Sequence, residues 1–126
     1  MHDEEKLRKE VIELGGRYLT RTLGELERLK GWFLELDAGS PLVLKEIERT
    51  AHKIHGSGAI FGFQDVSVPA GEIEHIAAHL TGGAAPEHLR KLSEAELRQR
   101  MLESLAKLDQ AARAAARELG IAPNAH

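Results

Sequence analysis

Apolar residues recur at alternating spacings of three and four through the middle of this chain, and that spacing restricts the fold more than any other feature. Between residues 44 and 61 this spacing is carried by Leu44, Ile47, Ala51, Ile54, Gly58 and Phe61. Such a sustained alternation gives a helix one apolar stripe and is typical of the seam between packed helices. No stretch alternates apolar and polar residues with the period of two that a half-buried strand requires. We therefore expect an all-α fold.

Four helical segments with short breaks between them are predicted. The first covers about residues 4–36 and is interrupted or loosened at Gly15-Gly16. The second starts at Ser40-Pro41, an N-cap followed by a first-turn proline. The third runs from residue 65 or 69 to residue 80, because Pro69 must lie in the first turns of its helix.

The last helix follows a connection rich in glycine, alanine and proline at residues 81–92. It starts at a capping box, Ser93-Glu94-Ala95-Glu96, and continues to about Leu119. Four helices joined by short connections favour antiparallel neighbours. We expect residues 1–126 to form a single domain, an antiparallel four-helix bundle with an optional short extra helix at its N-terminus.

Composition narrows the class of protein. The formal net charge is -3 and the basic residues are dispersed among acidic ones, which argues against binding to nucleic acid or to an anionic membrane. There is no cysteine, so disulfides and thiolate chemistry are excluded. No apolar run is long enough to span a bilayer, and the charged N-terminus lacks the apolar core of an export signal. We expect a cytoplasmic protein, and a monomer because no dimerisation signal stands out from ordinary bundle packing.

The most informative residue for function is His52, which lies beside glycines in the second helix. Glycine in a helix interior is about 1 kcal/mol less favourable than alanine. At 100° per residue, His52 points roughly 130° from the centre of the apolar stripe, and His55 lies at the edge of the stripe. Gly58 falls within the stripe, where it allows a neighbouring helix to approach closely. Gly56 lies outside it, which suggests that it clears space beside His52 for a large partner; the alternative is that Gly56 ends the helix.

An exposed imidazole can be a proton shuttle, a metal ligand or a covalent nucleophile. A shuttle usually needs a pocket and a second catalytic group, and neither is evident. The spacings His52-x-x-His55 and His75-x-x-x-His79 suit metal binding, and Glu72 with His75 matches the Glu-x-x-His element of di-iron bundles. That architecture needs a second such element, which the chain lacks. We predict no bound metal and keep a histidine–glutamate metal bundle as the less favoured alternative.

The stretch His52-Lys53-Ile54-His55-Gly56-Ser57, followed by Gly62, resembles the signature of the histidine phosphotransfer (Hpt) domains of two-component phosphorelays. That signature is His, any residue, Leu or Ile, Lys, Gly, Ser or Ala, and a further Gly about six residues after the first. Ala51 matches the small residue that commonly precedes the histidine. The next helix follows the family in looser form at Val66, Ala70, Ile73 and Glu74.

The resemblance implies that His52 accepts a phosphoryl group from a receiver-domain aspartate and passes it to another receiver. It implies response-regulator receiver domains as partners, and it also allows a hybrid histidine kinase. It implies no cofactor on this chain, with Mg²⁺ held by the receiver. Neither Gly15-Gly16 nor Gly82-Gly83 has the pattern of a nucleotide-binding loop, so we expect a phosphocarrier rather than an ATP-using kinase.

One departure from the family is His55, which stands where the signature has lysine. We expect His55 to stabilise the phosphoryl group in part, with Lys53 or Arg49 sharing the role, because an imidazole is mostly neutral at pH 7. Two alternatives stay open: His55 is a tolerated boundary residue, or the chain is a docking module that lacks phosphotransfer activity. The residues expected to contact a docked partner are Arg49, Lys53, Gly56, Ala59 and Gly62. Phe63 either joins this face or caps the bundle core.

Overall fold

The computed structural model describes residues 2–36 and 40–121. These ranges contain α1 (His2–Leu34), α2 (Pro41–Ile60), α3 (Gln64–Leu80), α4 (Glu87–Arg90) and α5 (Glu94–Glu118). α1 packs against α2 and α5, and α3 packs against the same two helices. The four long helices therefore close into a bundle, as predicted, while α4 is a single turn in the connection between α3 and α5. Within the two described ranges, no helix is long and apolar enough to span a membrane.

The core is built from aliphatic side chains at the predicted seam positions. Ile47 and Ile54 of α2 and Ile73 and Ile76 of α3 are buried almost completely. Burying one such side chain stabilises the fold by about 1.5–3 kcal/mol, so packing contributes more to these helices than intrinsic propensity does. The largest fully buried side chains of α1 and α5 are Leu19, Leu23, Leu26, Leu29, Met101 and Leu108.

α1 is continuous, and the predicted interruption at Gly15-Gly16 is wrong. Gly15 is buried, and a Cβ added to it would lie 3.4 Å from the ring of Phe63. This glycine therefore gives room to an aromatic ring from the α2–α3 turn while the helix continues through it. The extra short helix is not at the N-terminus but is α4, because residues 2–14 form one helix with the rest of α1 and are exposed.

A tight turn of residues 61–63 joins α2 to α3. Gly62 has φ +81°, a left-handed conformation that glycine adopts without a steric penalty. The Gly62 N–H donates to the Ala59 carbonyl (3.3 Å) and the Phe63 N–H donates to the Gly58 carbonyl (2.8 Å), which is the Schellman pattern. The Phe63 ring stacks on Tyr18, with centroids 5.5 Å apart, so Phe63 caps the core.

The helix starts follow the predictions in position and differ in detail. Ser40 is the N-cap of α2 and Pro41 begins it, but the Ser40 side chain makes no capping hydrogen bond. α3 begins at Gln64, so Pro69 lies inside the helix in its second turn. A proline there cannot donate an N–H to the carbonyl four residues earlier, and α3 continues despite that missing hydrogen bond.

The capping box of α5 is confirmed. The Glu96 N–H donates to Ser93 Oγ at 3.1 Å, and the Ser93 N–H donates to Glu96 Oε1 at 3.2 Å. These two bonds satisfy backbone donors that the first turn of a helix leaves without partners. The sequence pattern thus identified both the residue at which α5 starts and the hydrogen bonds that cap it.

Candidate functional site

His52 lies in the middle of α2 with its side chain 71% exposed, on the side away from the core. Its Nδ1 is 2.6 Å from Oε2 of Glu74, which lies on α3. One nitrogen of the imidazole is therefore bound to a neighbouring helix. The exposure predicted from helical rotation agrees with the structure.

Glu74 bridges two imidazoles. Its other oxygen, Oε1, lies 2.8 Å from Nδ1 of His55. Burial opposes ionisation of this carboxyl, but the hydrogen bonds from His55 and His52 outweigh it and lower the pKa of Glu74 below its ordinary value. At pH 7 the group is a carboxylate, which only accepts hydrogen bonds.

The protonation of each ring follows from that carboxylate. Both imidazoles must donate their Nδ1–H to Glu74. In its neutral form His52 then carries no proton on Nε2, because a neutral imidazole has one N–H. The site thus presents an exposed nitrogen lone pair at a fixed position on α2, which is the requirement for a nucleophile.

The glycines around His52 differ in their surroundings. A Cβ added to Gly58 would lie 2.8 Å from Oη of Tyr18 and 3.1 Å from Cβ of Ser67, which confirms Gly58 as a packing glycine. A Cβ added to Gly56 would meet nothing within 4 Å. α2 continues past Gly56 to Ile60, so the alternative that Gly56 ends the helix is wrong. The proposed role of Gly56 in giving a partner access to His52 stays a prediction.

Tyr18 ties α1 to the same part of α2. Its hydroxyl donates to the carbonyl of Ile54 at 2.9 Å in a buried hydrogen bond. Burial raises the pKa of Tyr18 to about 12. The close approach depends on Gly58, whose missing side chain leaves space for the hydroxyl group.

The basic residues near His52 lie on two sides of α2. Arg49 and Lys45 line a shallow depression together with His52 and Glu74. Arg49 also forms an ion pair with Glu46 one turn earlier. The cations beside His52 therefore lie on α2 itself.

Lys53 faces the other way, toward α1. There its charge opposes the effect of burial on Glu25, whose pKa is nevertheless raised. Of the two basic residues predicted to assist His52, Arg49 lines both the depression and the groove toward α1, whereas Lys53 lines only the groove toward α1.

Ala59 and Gly62 were predicted to contact a docked partner, and both are exposed. Gly62 has a structural function in addition, since it forms the cap that ends α2. Neither residue contacts the Glu74 bridge through a hydrogen bond, because Ala59 has only a methyl side chain and Gly62 has none.

Of the residues named for the metal alternative, His52 and His55 meet at Glu74, but Glu72 and His79 lie elsewhere. Glu72 points to the other side of α3, where its oxygens lie 3.0 Å from Nε of Arg100 and 3.6 Å from Nε2 of His88. His79 lies beside the carbonyl of Gly83. Within residues 2–36 and 40–121, no group of three or more His, Cys, Asp or Glu side chains is placed to hold a metal ion.

Glu74 is the residue that sequence reasoning missed as a partner of His52. It was noted only as part of the looser similarity in the third helix. The signal was available, since Glu74 is an acidic residue between the inward-facing Ile73 and Ile76. Charged side chains that are buried in proteins are almost always paired, so a partner for a partly buried glutamate was to be expected.

Comparison with known proteins identifies the family of the chain. A family model described as Hpt domain matches residues 13–114 of the 126-residue chain. The matched range contains the His52 site, the α2–α3 turn and most of α5. No curated protein and no solved structure matches the chain significantly.

Proposed function

The chain belongs to the Hpt domain family, whose members carry phosphoryl groups on histidine in phosphorelays, and on that premise we propose that His52 is its phosphoacceptor. We propose that Nε2 of His52 takes the phosphoryl group from an aspartyl phosphate on one receiver domain and passes it to the aspartate of another. The observation that carries this proposal is the bond between Nδ1 of the exposed His52 and Glu74, from which it follows that Nε2 carries no proton in the neutral ring.

The transfer step exchanges one bond for another. The lone pair of Nε2 attacks phosphorus in line with the bond to the aspartate oxygen, a P–N bond forms, and the aspartate leaves as a carboxylate. The P–N bond is the only covalent bond that the protein forms in this step, so catalysis is mostly positioning and charge stabilisation. We expect Mg²⁺ and its acidic ligands to be on the receiver and no cofactor on this chain.

The same hydrogen bond supports transfer in the reverse direction. A phosphorylated His52 that keeps its Nδ1–H on Glu74 can leave as a neutral imidazole when a second receiver attacks phosphorus. A ring without that proton would leave as an anion, which is a poorer leaving group. Glu74 therefore supports His52 both as acceptor and as donor.

The depression beside His52 has mixed charge, because Glu46, Glu48 and Glu74 line it together with two basic residues, so any attraction for a phosphoryl group comes from individual cations and not from a positive patch. Arg49 and Lys45 line it, and both are exposed. Their charges attract phosphoryl oxygens and carboxylates at short range. We propose this face of α2, with Gly56 and Ala59 beside His52, as the surface that contacts the receiver.

Incubation with a ³²P-phosphorylated receiver domain tests the proposal. We expect label on the chain that is lost in acid and kept in alkali, as for phosphohistidine, and that is absent from His52→Gln. His88→Gln is the matched control, because it removes an exposed imidazole on the α3–α5 side and should leave labelling unchanged. Absence of label from several receivers, with binding retained, would favour a docking module without phosphotransfer activity.

A further inference from the structure

His55 contacts α3 at several points, and its side chain is 40% exposed whereas that of His52 is 71% exposed. The hydroxyl of Ser67 donates to the His55 carbonyl at 2.7 Å. The ring of His75 meets the His55 ring edge-on, with centroids 6.3 Å apart. A Cβ built on Gly71 would lie 3.1 Å from Nε2 of His55 and 3.2 Å from both Cδ2 and Cε1. The far edge of the imidazole therefore rests on the backbone of Gly71.

This orientation restricts what His55 can do. Its Nδ1 is bonded to Oε1 of Glu74, and the edge that carries Nε2 faces Gly71. Neither nitrogen is directed at the space beyond Nε2 of His52, where a phosphoryl group would bind. A direct contact with phosphoryl oxygens, as expected for the residue at the lysine position, requires the ring to move away from Gly71.

We propose that His55 is a positioning residue. Its ring rests against Gly71 and its Nδ1–H holds Oε1 of Glu74, so that Oε2 stays on Nδ1 of His52. The inference rests on the proposed phosphotransfer at His52. A carboxylate with one partner can rotate and exchange its two oxygens, whereas one anchored at Oε1 presents Oε2 at a fixed position. A free imidazole distributes its proton between both nitrogens, so the fixed oxygen is what keeps Nε2 of His52 unprotonated.

Glycine at position 71 is part of this arrangement. Contacts of 3.1–3.2 Å to a side-chain carbon are tight, so any larger residue would push the His55 ring away from α3. Movement of the ring by a few tenths of an ångström would lengthen its 2.8 Å bond to Glu74. The pairing of an imidazole on α2 with a glycine on α3 therefore sets the position of the carboxylate.

Two uncharged variants of similar shape separate positioning from charge. His55→Asn keeps an N–H donor close to the place of Nδ1, whereas His55→Leu has none. The first measurement is the tautomer of His52, read from its ring ¹⁵N NMR signals. The second is the rate of transfer from a phosphorylated receiver, with far-UV circular dichroism as the test that each variant is folded.

We expect His55→Asn to keep the Nδ1–H tautomer of His52 and a transfer rate within about twofold of the parent. We expect His55→Leu to populate the Nε2–H tautomer and to transfer about 10- to 100-fold more slowly, the range that corresponds to losing a hydrogen bond to a charged group. Equal slowing of both variants would overturn the proposal in favour of a role for the charge of His55. An unchanged tautomer in His55→Leu would overturn it as well.

The tautomer measurement needs no phosphoryl donor, which keeps the two proposals distinguishable. A tautomer shift in His55→Leu, with no label on the parent chain from any receiver, would support the positioning of His52 and contradict the phosphocarrier function. Gly71→Ala gives an independent check, since it displaces the ring and keeps both imidazoles. We expect it to shift the His52 tautomer in the parent and to have no effect in His55→Asn, whose shorter side chain does not reach position 71.

Discussion

Replacing Gly58 by alanine should destabilise the protein, although alanine is the better helix former. The substitution adds about 1 kcal/mol of helix propensity. The new Cβ would lie 2.8 Å from Oη of Tyr18 and 3.3 Å from Cα of Ser67, so the helices must separate or the tyrosine must move. Overpacking of this kind costs about 1–3 kcal/mol. Displacing the Tyr18 hydroxyl from the Ile54 carbonyl leaves buried polar groups without partners and costs about 1–3 kcal/mol more.

The net expectation is a loss of about 1–5 kcal/mol in the free energy of unfolding. Gly56→Ala is the matched control, because the same substitution two residues earlier in α2 meets nothing within 4 Å. It should stabilise the protein by about 1 kcal/mol. The two variants therefore move the urea midpoint in opposite directions, measured by far-UV circular dichroism with the m-value checked for each.

A Gly58→Ala variant as stable as the parent would refute the reasoning, since the close approach of Tyr18 and Ser67 would then carry no energetic consequence. A double-mutant cycle locates the effect. In a Tyr18→Phe background the hydrogen bond is already absent, so the loss caused by Gly58→Ala should be smaller than in the parent. An equal loss in both backgrounds would assign the effect to Ser67 instead.

Three further predictions concern pH and capping. Because burial raises the pKa of Tyr18 to about 12, its neutral form contributes stability that is complete below pH 10 and is lost as the pH rises toward 12; the loss is of the order of 3 kcal/mol. Tyr18 is the one tyrosine of the sequence, so its absorbance reports the titration directly, and Tyr18→Phe should remove the alkaline loss. Since the pKa of Glu74 is lowered, its carboxylate contributes stability that is present above pH 4.5 and is lost as the pH falls through the lowered pKa. Urea midpoints measured against pH should therefore show a smaller loss of stability in acid for Glu74→Gln than for the parent. Ser93→Ala removes half of the capping box and should lower the free energy of unfolding by about 1 kcal/mol, whereas Ser93→Asn should retain most of it.

Sequence patterns predicted the structural features that depend on spacing within a single helix. The seam through Ile47 and Ile54, the capping box at Ser93 and the packing role of Gly58 all follow from local spacing. The continuity of α1 at Gly15 was missed, because the reason for that glycine is the ring of Phe63, which lies far along the chain.

The site itself was predicted in part. His52 and its exposure follow from the rotation of α2, but its partner lies 22 residues away on α3. Rotation around one helix says nothing about which face of the next helix meets it. The contacts of Glu74 with both imidazoles, and of Gly71 with His55, are therefore known only from the packed structure. The role of His55 depends on both, which is why the lysine position suggested charge where the geometry suggests positioning.

The three-residue turn at 61–63 makes the spacing between α2 and α3 sensitive to length. Each residue inserted into a helix advances the following ones by 100° and 1.5 Å. One extra residue between Gly62 and Glu74 would carry the carboxylate away from both imidazoles, unless the cap at Gly62 were lost instead. The connection at 81–86 lies beyond Glu74 and leads into α4, so its length can vary without rotating Glu74 away from the two imidazoles. Insertions and deletions among related chains should therefore be tolerated after α3 and selected against between α2 and α3.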